Sequence, residues 1–113
     1  MMADLEQSEI GAMTDAVRQI GDSWTLLIVW AALRGITRFD TFQRRLGVAR
    51  NILSNRLARL VDEGILEKRP VHAGARRLEY RITPKGEALR PVLELIEDWG
   101  KTTRRGVRER ASA

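Results

Sequence analysis

No cysteine occurs among the 113 residues, and His72 is the only histidine. Disulfides, thiolate metal sites, cysteine nucleophiles, thiol redox sensing and His-pair zinc centres are therefore excluded. The chain also lacks a nucleotide-binding glycine loop and a nucleophile paired with a histidine base, so no enzyme activity, catalytic residue, metal or cofactor is expected. The longest apolar run, residues 24–33, is interrupted by Thr25 and covers about half of what a bilayer requires. No membrane partner follows from such a run. An acidic start replaces the basic and apolar opening of a signal peptide, which makes the cytoplasm the expected location. Aromatic residues are scarce at 5%, and no strand carries the exposed aromatic face used by RNA-binding sheets.

What the chain does have is charge of one sign. Lys and Arg number 20 against 15 Asp and Glu, giving +5 and a sequence pI near 10.7, which points toward nucleic acid or another anionic surface. The excess is local: residues 34–59 hold seven arginines (34, 38, 44, 45, 50, 56 and 59) against Asp40 alone. Arginine predominates over lysine throughout, and its planar fork suits phosphate oxygens and guanine edges. With 43% hydrophobic and 31% charged residues, the chain reads as one domain over 1–113, with 1–9 and 104–113 as frayed tails.

The apolar period divides this domain into elements. Ile10, Met13, Val17 and Ile20 recur at helical spacing up to Gly21. Asp22 or Ser23 can then cap a second helix over 24–34, apolar on nearly every side and so expected at the centre, with Gly35 as its stop. Thr37 followed by Asp40 resembles a capping box for a short third helix, whose stripe is Phe39, Phe42 and Leu46 and which ends at Gly47. A fourth helix over 50–62 places Leu53, Leu57, Leu60 and Val61 on one face. After Gly64 the period falls to two. Leu78, Tyr80 and Ile82 alternate with Arg77, Glu79 and Arg81, a half-buried strand that pairs with 65–71 through a loop containing Gly74. Thr83-Pro84 starts a last helix with Leu89, Val92, Leu93, Ile96 and Trp99 on one stripe.

Mainly helical, with a small β-hairpin after the fourth helix, this order is that of a winged helix-turn-helix. Over roughly residues 11 to 100 the sequence resembles the HxlR-type regulators, a branch close to the MarR-like winged-helix factors. The resemblance rests on Ile20-Gly21 with Trp24-Thr25-Leu26-Leu27-Ile28, on Arg38-Phe39 with Asp40 and Phe42, and on Leu53, Arg56-Leu57 and Leu60 through Asp62-Glu63-Gly64-Ile65. It continues with Glu79-Tyr80-Arg81-Ile82-Thr83, Gly86, Leu89 and Trp99. It implies a homodimeric, DNA-binding transcriptional regulator whose first and last helices build the dimer. Four positions depart from the pattern. An N-terminal Cys found in many members falls at Gly11, Gly-Lys before the Trp reads Asp22-Ser23, a Ser opening the recognition helix is Ala49, and the wing's Pro-Pro-Arg is Ala75-Arg76-Arg77.

On a wheel with Leu53 at zero, Leu57, Leu60 and Val61 fall within about 80°, while Asn51 and Asn55 lie at roughly 160° and 200°. Those two amides point outward. Ser54, Ala58 and Arg59 border the same strip, and Arg50 sits in the first turn, where free backbone N–H groups can also meet phosphate. Asn pairs bidentately with adenine and Arg with guanine in the major groove, so this strip is the expected reading face. The plainer alternative is an ordinary solvated helix face. Arg38, Arg44 and Arg45 are expected on phosphates, either of the last two being equally a solvated side chain. Arg56, about 60° from the core centre, suits a salt bridge as well as a phosphate. Arg76 and Arg77 on the wing suit a narrow minor groove or phosphates alone. His72 reads as an exposed loop residue. Tail cations from Lys101 onward are either a second electrostatic contact or a solvated end.

One recognition helix reads only a few base pairs, so useful specificity requires a dimer. Met13 and Val17 on the first helix, with Leu93, Ile96 and Trp99 on the last, are the expected interface, unless those helices fold back on their own core. Two-fold symmetry spaces the recognition helices about 34 Å apart and predicts an inverted-repeat operator, with promoter occlusion as the simplest outcome. Expected partners are double-stranded DNA and a second copy, with a small-molecule effector left open. The competing function is a winged helix used for protein or RNA contact.

Overall fold

The computed structural model describes residues 4–112, with side chains to residue 104. Helix α1 spans Gln7–Ile20, α2 Ser23–Leu33, α3 Phe39–Leu46 and α4 Arg50–Asp62, followed by strands β1 Leu66–Pro70 and β2 Leu78–Ile82, a short α5 Pro84–Glu87 and a long α6 Arg90–Ser112. Helix α1 opens inside the segment expected to fray, and α6 runs on through residue 104; the side chains of Arg105, Arg108 and Arg110 lie outside the described residues.

Helix α2 is the axis of the domain. Asp22 caps it by accepting the Thr25 N–H at 3.0 Å, and Ile28, Val29, Ala31, Ala32 and Leu33 along it are all buried. Around it pack Phe42 of α3, Leu53, Leu57 and Leu60 of α4, Ile65 and Leu66 at the start of the hairpin, and Leu93 of α6. A single buried cluster thus draws on α2, α3, α4, β1 and α6, with Tyr80 and Ile82 of β2 half-buried against it, while α1 contributes no buried residue and reaches it only through Ile20. The radius of gyration is 17.0 Å, against about 13 Å for a compact chain of this length. The terminal helices account for the excess by projecting from the core.

The hairpin pairs antiparallel, with Leu66 opposite Ile82 and Pro70 opposite Leu78. The Tyr80 N–H also donates to the Thr37 carbonyl at 2.8 Å, fastening β2 to the segment before α3. That bond corrects the expected capping box. Thr37 is held in the β2 contact, and α3 begins one residue later, from Arg38 in extended conformation with no side-chain cap. The same contact changes the pattern along β2, where Glu79 is buried and Leu78 is exposed. Covered by the 37–38 segment, Glu79 has its carboxyl pulled below the ordinary glutamate range by Arg81, with smaller help from the Thr37 side chain and Arg38.

After β2, Thr83 caps α5 through the Gly86 N–H at 3.1 Å. Gly86 is required by close approach, because a Cβ there would lie 2.4 Å from the Ile65 carbonyl oxygen. The single last helix expected from Thr83 onward is divided, with α5 giving way to α6 at Arg90. Leu93, expected in the dimer stripe, is 4% exposed and belongs to the chain's own core. The first turns of α6 dock on α2, so Leu93 faces inward while its neighbours along the stripe do not.

Candidate nucleic-acid interface

The inner face of α4 is fixed by the burial of Leu53, Leu57 and Leu60, and that decides what its outer face presents. Asn51, Ser54, Asn55 and Ala58 are all exposed along one strip. The turn that delivers α4 to this position depends on Gly47, whose φ of +68° closes α3 in the left-handed region. Val48 behind it is buried, and Ala49 occupies the N-cap without a side-chain bond. The first N–H groups of α4 consequently have no capping side chain, and they face the end of the strip where Arg50 and Asn51 lie.

Cations surround this strip in distinct ways. The Arg50 guanidinium stacks over the Phe39 ring at 4.9 Å, which steadies it between α3 and α4. Arg44 is exposed, whereas Arg45 borders a recess with Trp30, Arg34, Ile36 and Leu46 on the far side of α3. Arg38 is half-buried, and it shares a recess with Phe39, Asp40, Thr41 and Arg77, so the structure brings one wing arginine back beside the start of α3. Arg76 is exposed at the tip, in a loop shaped by Gly74 at φ +79° and closed by the Val71 N–H donating to the Arg77 carbonyl. Lower on the wing the cations are occupied: Arg69 pairs with Glu67 at 2.7 Å, Arg81 with Glu79 at 2.6 Å, and Lys68 lies over Tyr80. Among the described residues Arg38, Arg44, Arg50, Arg76 and Arg77 form no salt bridge. His72 is an exposed loop residue.

Two arginines of α4 are already engaged within the chain. Arg59 donates to the Arg18 carbonyl at 3.3 Å, at the end of α1. The bond directs this exposed side chain toward the first helix. Arg56 forms a side-on pair with Asp22, at 2.8 Å and 3.3 Å, and donates through its remaining nitrogen to Asn55 Oδ1 at 2.8 Å. The Asp22 carboxyl is held well below the usual range, chiefly by Arg56 and then by the Thr25 N–H. Sequence reasoning left Arg56 open between salt bridge and phosphate, and it did not find Asp22 as the partner. No local spacing could have supplied it, since the two residues are 34 apart.

A second cluster absent from the sequence reading lies at the α2–α6 contact. Glu97 accepts from the Trp30 indole at 3.1 Å and from Arg34 at 2.7 Å, with Lys101 at 3.3 Å. These donors, the indole first, hold its carboxyl at about 2. Beside it Leu26, Leu27, Trp30, Leu93 and Ile96 line an apolar groove of roughly 210 Å³, smaller than the usual small-molecule site of about 300–1,000 Å³. Beyond it, Met13, Val17, Ile96 and Trp99 are exposed on α1 and α6. No helix among the described residues is long and apolar enough to cross a membrane.

Comparison with known proteins accords with this architecture. An uncharacterized HTH-type transcriptional regulator of Mycobacterium bovis is 38% identical over 85 residues, covering 75% of this chain and 54% of the relative. The chain thus spans about half the length of the mycobacterial relatives it matches. The uncharacterized HTH-type regulator YvaP of Bacillus subtilis is 35% identical over 85 residues, 74% of this chain and 79% of YvaP. Among solved structures, the candidate transcription factor PA1607 superposes with a TM-score of 0.71 at 46% identity, over 76% of this chain and 60% of that one. The redox regulator HypR, in its reduced form, shares the fold with a TM-score of 0.75 at 23% identity, over 87% of this chain and 98% of HypR. The family model for the HxlR-like helix-turn-helix matches residues 19–107, and the chain belongs to that family.

Proposed function

We propose that this protein is a transcriptional regulator that reads double-stranded DNA in sequence-specific fashion, as a homodimer on an inverted-repeat operator, and that it represses by occluding a promoter. The observation that carries the reading is the exposed strip of Asn51, Ser54 and Asn55 on a helix whose opposite face is buried, with Arg44 and Arg50 beside it. Amides and hydroxyls of this kind read base edges, while the flanking arginines fix register on phosphate. Arg38 and Arg77 share one recess next to α3, which supports a joint backbone contact, and Arg76 extends from the wing tip toward an adjacent groove. The protein acts in the cytoplasm and catalyses no reaction; its named relatives are transcriptional regulators.

Dimerisation is supported by the exposed stripe of Met13, Val17, Ile96 and Trp99, which a two-fold pairing of α1 and α6 covers. An effector seated in the α2–α6 groove would need the second copy to complete its site, because that groove alone is smaller than an ordinary small-molecule site.

Fluorescence anisotropy tests the central reading. A duplex selected from a random pool should bind at least a hundredfold more tightly than a scrambled one, with log K falling steeply against log salt. Arg44→Ala should reduce that salt slope by about 1, with little change in sequence ranking. Equal affinity for selected and scrambled duplexes would favour a winged helix used for protein or RNA contact.

A further inference from the structure

We propose that Arg56 sets the base preference of α4 by fixing the Asn55 amide with its oxygen inward, so that Asn55 offers N–H donors to the groove and selects guanine or thymine over adenine. The inference rests on the duplex-reading role proposed above. Its starting point is the unbroken line of bonds that ends at Asn55. Asp22 Oδ2 accepts from the Thr25 backbone N–H at 3.0 Å and from the Thr25 hydroxyl at 3.1 Å, which locks the carboxylate at the start of α2. Arg56 Nε and Nη2 then donate to that carboxylate. Its planar fork is thereby fixed, and Nη1 is aimed at Asn55 Oδ1 at 2.8 Å.

An adenine edge presents one acceptor, N7, and one donor, the N6 amino group, and the bidentate Asn contact uses the amide oxygen for the latter. In this protein one of that oxygen's two lone pairs already accepts from a guanidinium, a charge-assisted bond roughly twice as strong as a neutral one, so an adenine N6–H would have to share the oxygen with a cation. Turning the amide over would set its NH2 against the guanidinium, donor facing donor. The remaining orientation presents the NH2 outward. Guanine offers it two acceptors, N7 and O6, and thymine offers O4, whereas adenine offers N7 alone and sets its N6 donor against the amide's own donors, and cytosine offers only a donor. Asn51, one turn earlier on the same strip, accepts no such bond among the described residues and is an internal control.

Selection of bound duplexes from a random pool decides the matter, run with the full chain as wild type, Asn55→Ala, Arg56→Met and Asp22→Asn, each first checked for a cooperative thermal transition. Asn55→Ala should flatten one position in each half-site, and wild type should favour guanine or thymine at that position. Arg56→Met frees the amide and should shift that position toward adenine by about five- to tenfold relative to wild type, while Asp22→Asn only loosens the guanidinium and should shift it the same way by less, both leaving the other positions in their original ranking. Should Arg56→Met not fold, Asp22→Asn carries the test, since Asn also caps a helix well. Adenine at that position in wild type overturns the proposal, as does a uniform loss of affinity without a change of ranking, or an Asn55→Ala profile that flattens nothing. A wild type that selects no sequence at all instead overturns the duplex-reading role itself.

Discussion

The middle of the chain and its two ends treat apolar side chains in opposite ways. Helices α2 and α4 bury theirs: Ile28, Val29, Leu53 and Leu57 have no exposed surface. Helix α1 and the outer part of α6 leave theirs open, with Met13 66% and Trp99 71% exposed. Both regions have similar helical stripes in sequence, so the difference lies in what is left to pack against. Helix α2 is packed by the hairpin, α3, α4 and the first turns of α6, and α1 reaches that core only through Ile20 at its end. Stability of the single chain is therefore concentrated in the middle. The ends hold apolar surface whose burial depends on a partner.

Substitutions in the two regions should separate these roles. Phe42→Ala opens a cavity at a fully buried site and should cost about 3–5 kcal/mol in urea unfolding at any protein concentration. The doubly substituted Met13→Glu, Trp99→Glu chain should keep its helical circular dichroism yet sediment as a monomer. It should lose only the part of the stability that grows with protein concentration. A dimer that survived both charges would move the interface elsewhere.

The junction between the two regions should show the smallest effect. The Glu97 carboxyl, at about 2 against an ordinary 4.5, is depressed in the folded chain, so its contribution is complete above 4.5 and lost as pH falls toward 2. Glu97→Gln should flatten the acid limb of thermal stability within that window and change little at neutral pH. An unchanged acid limb would assign it to other carboxylates, with Asp22 first among them.

Elements with strong local signals were legible before the structure. The end of α3 and the bounds of α4 followed from Leu53, Leu57 and the two flanking glycines, and the outward strip of Asn51, Ser54 and Asn55 followed from the same period. Contacts between distant segments were not. Thr37 has the composition of a cap, but the Tyr80 N–H from β2 claims its carbonyl. Leu93 and Ile96 share a stripe, and only the docking of α6 on α2 distinguishes the buried one from the open one. A wheel puts Arg59 beside the reading strip and Arg56 about 60° from the core centre, yet Asp22 and the Arg18 carbonyl, each far off in sequence, direct where their guanidiniums go. A wheel gives the direction of a side chain, not the identity of the group waiting there.

The tryptophans have a practical consequence. Trp30 is half-buried with its indole N–H bonded to the Glu97 carboxylate, while Trp99 stands on the open stripe of α6. Two indoles in such different surroundings emit at different wavelengths and are quenched to different degrees by iodide. With Trp24 replaced by Phe, the chain thus contains two intrinsic optical reporters, one for the seating of α6 on α2 and one for the covering of its outer surface, and both can be followed without attaching a dye.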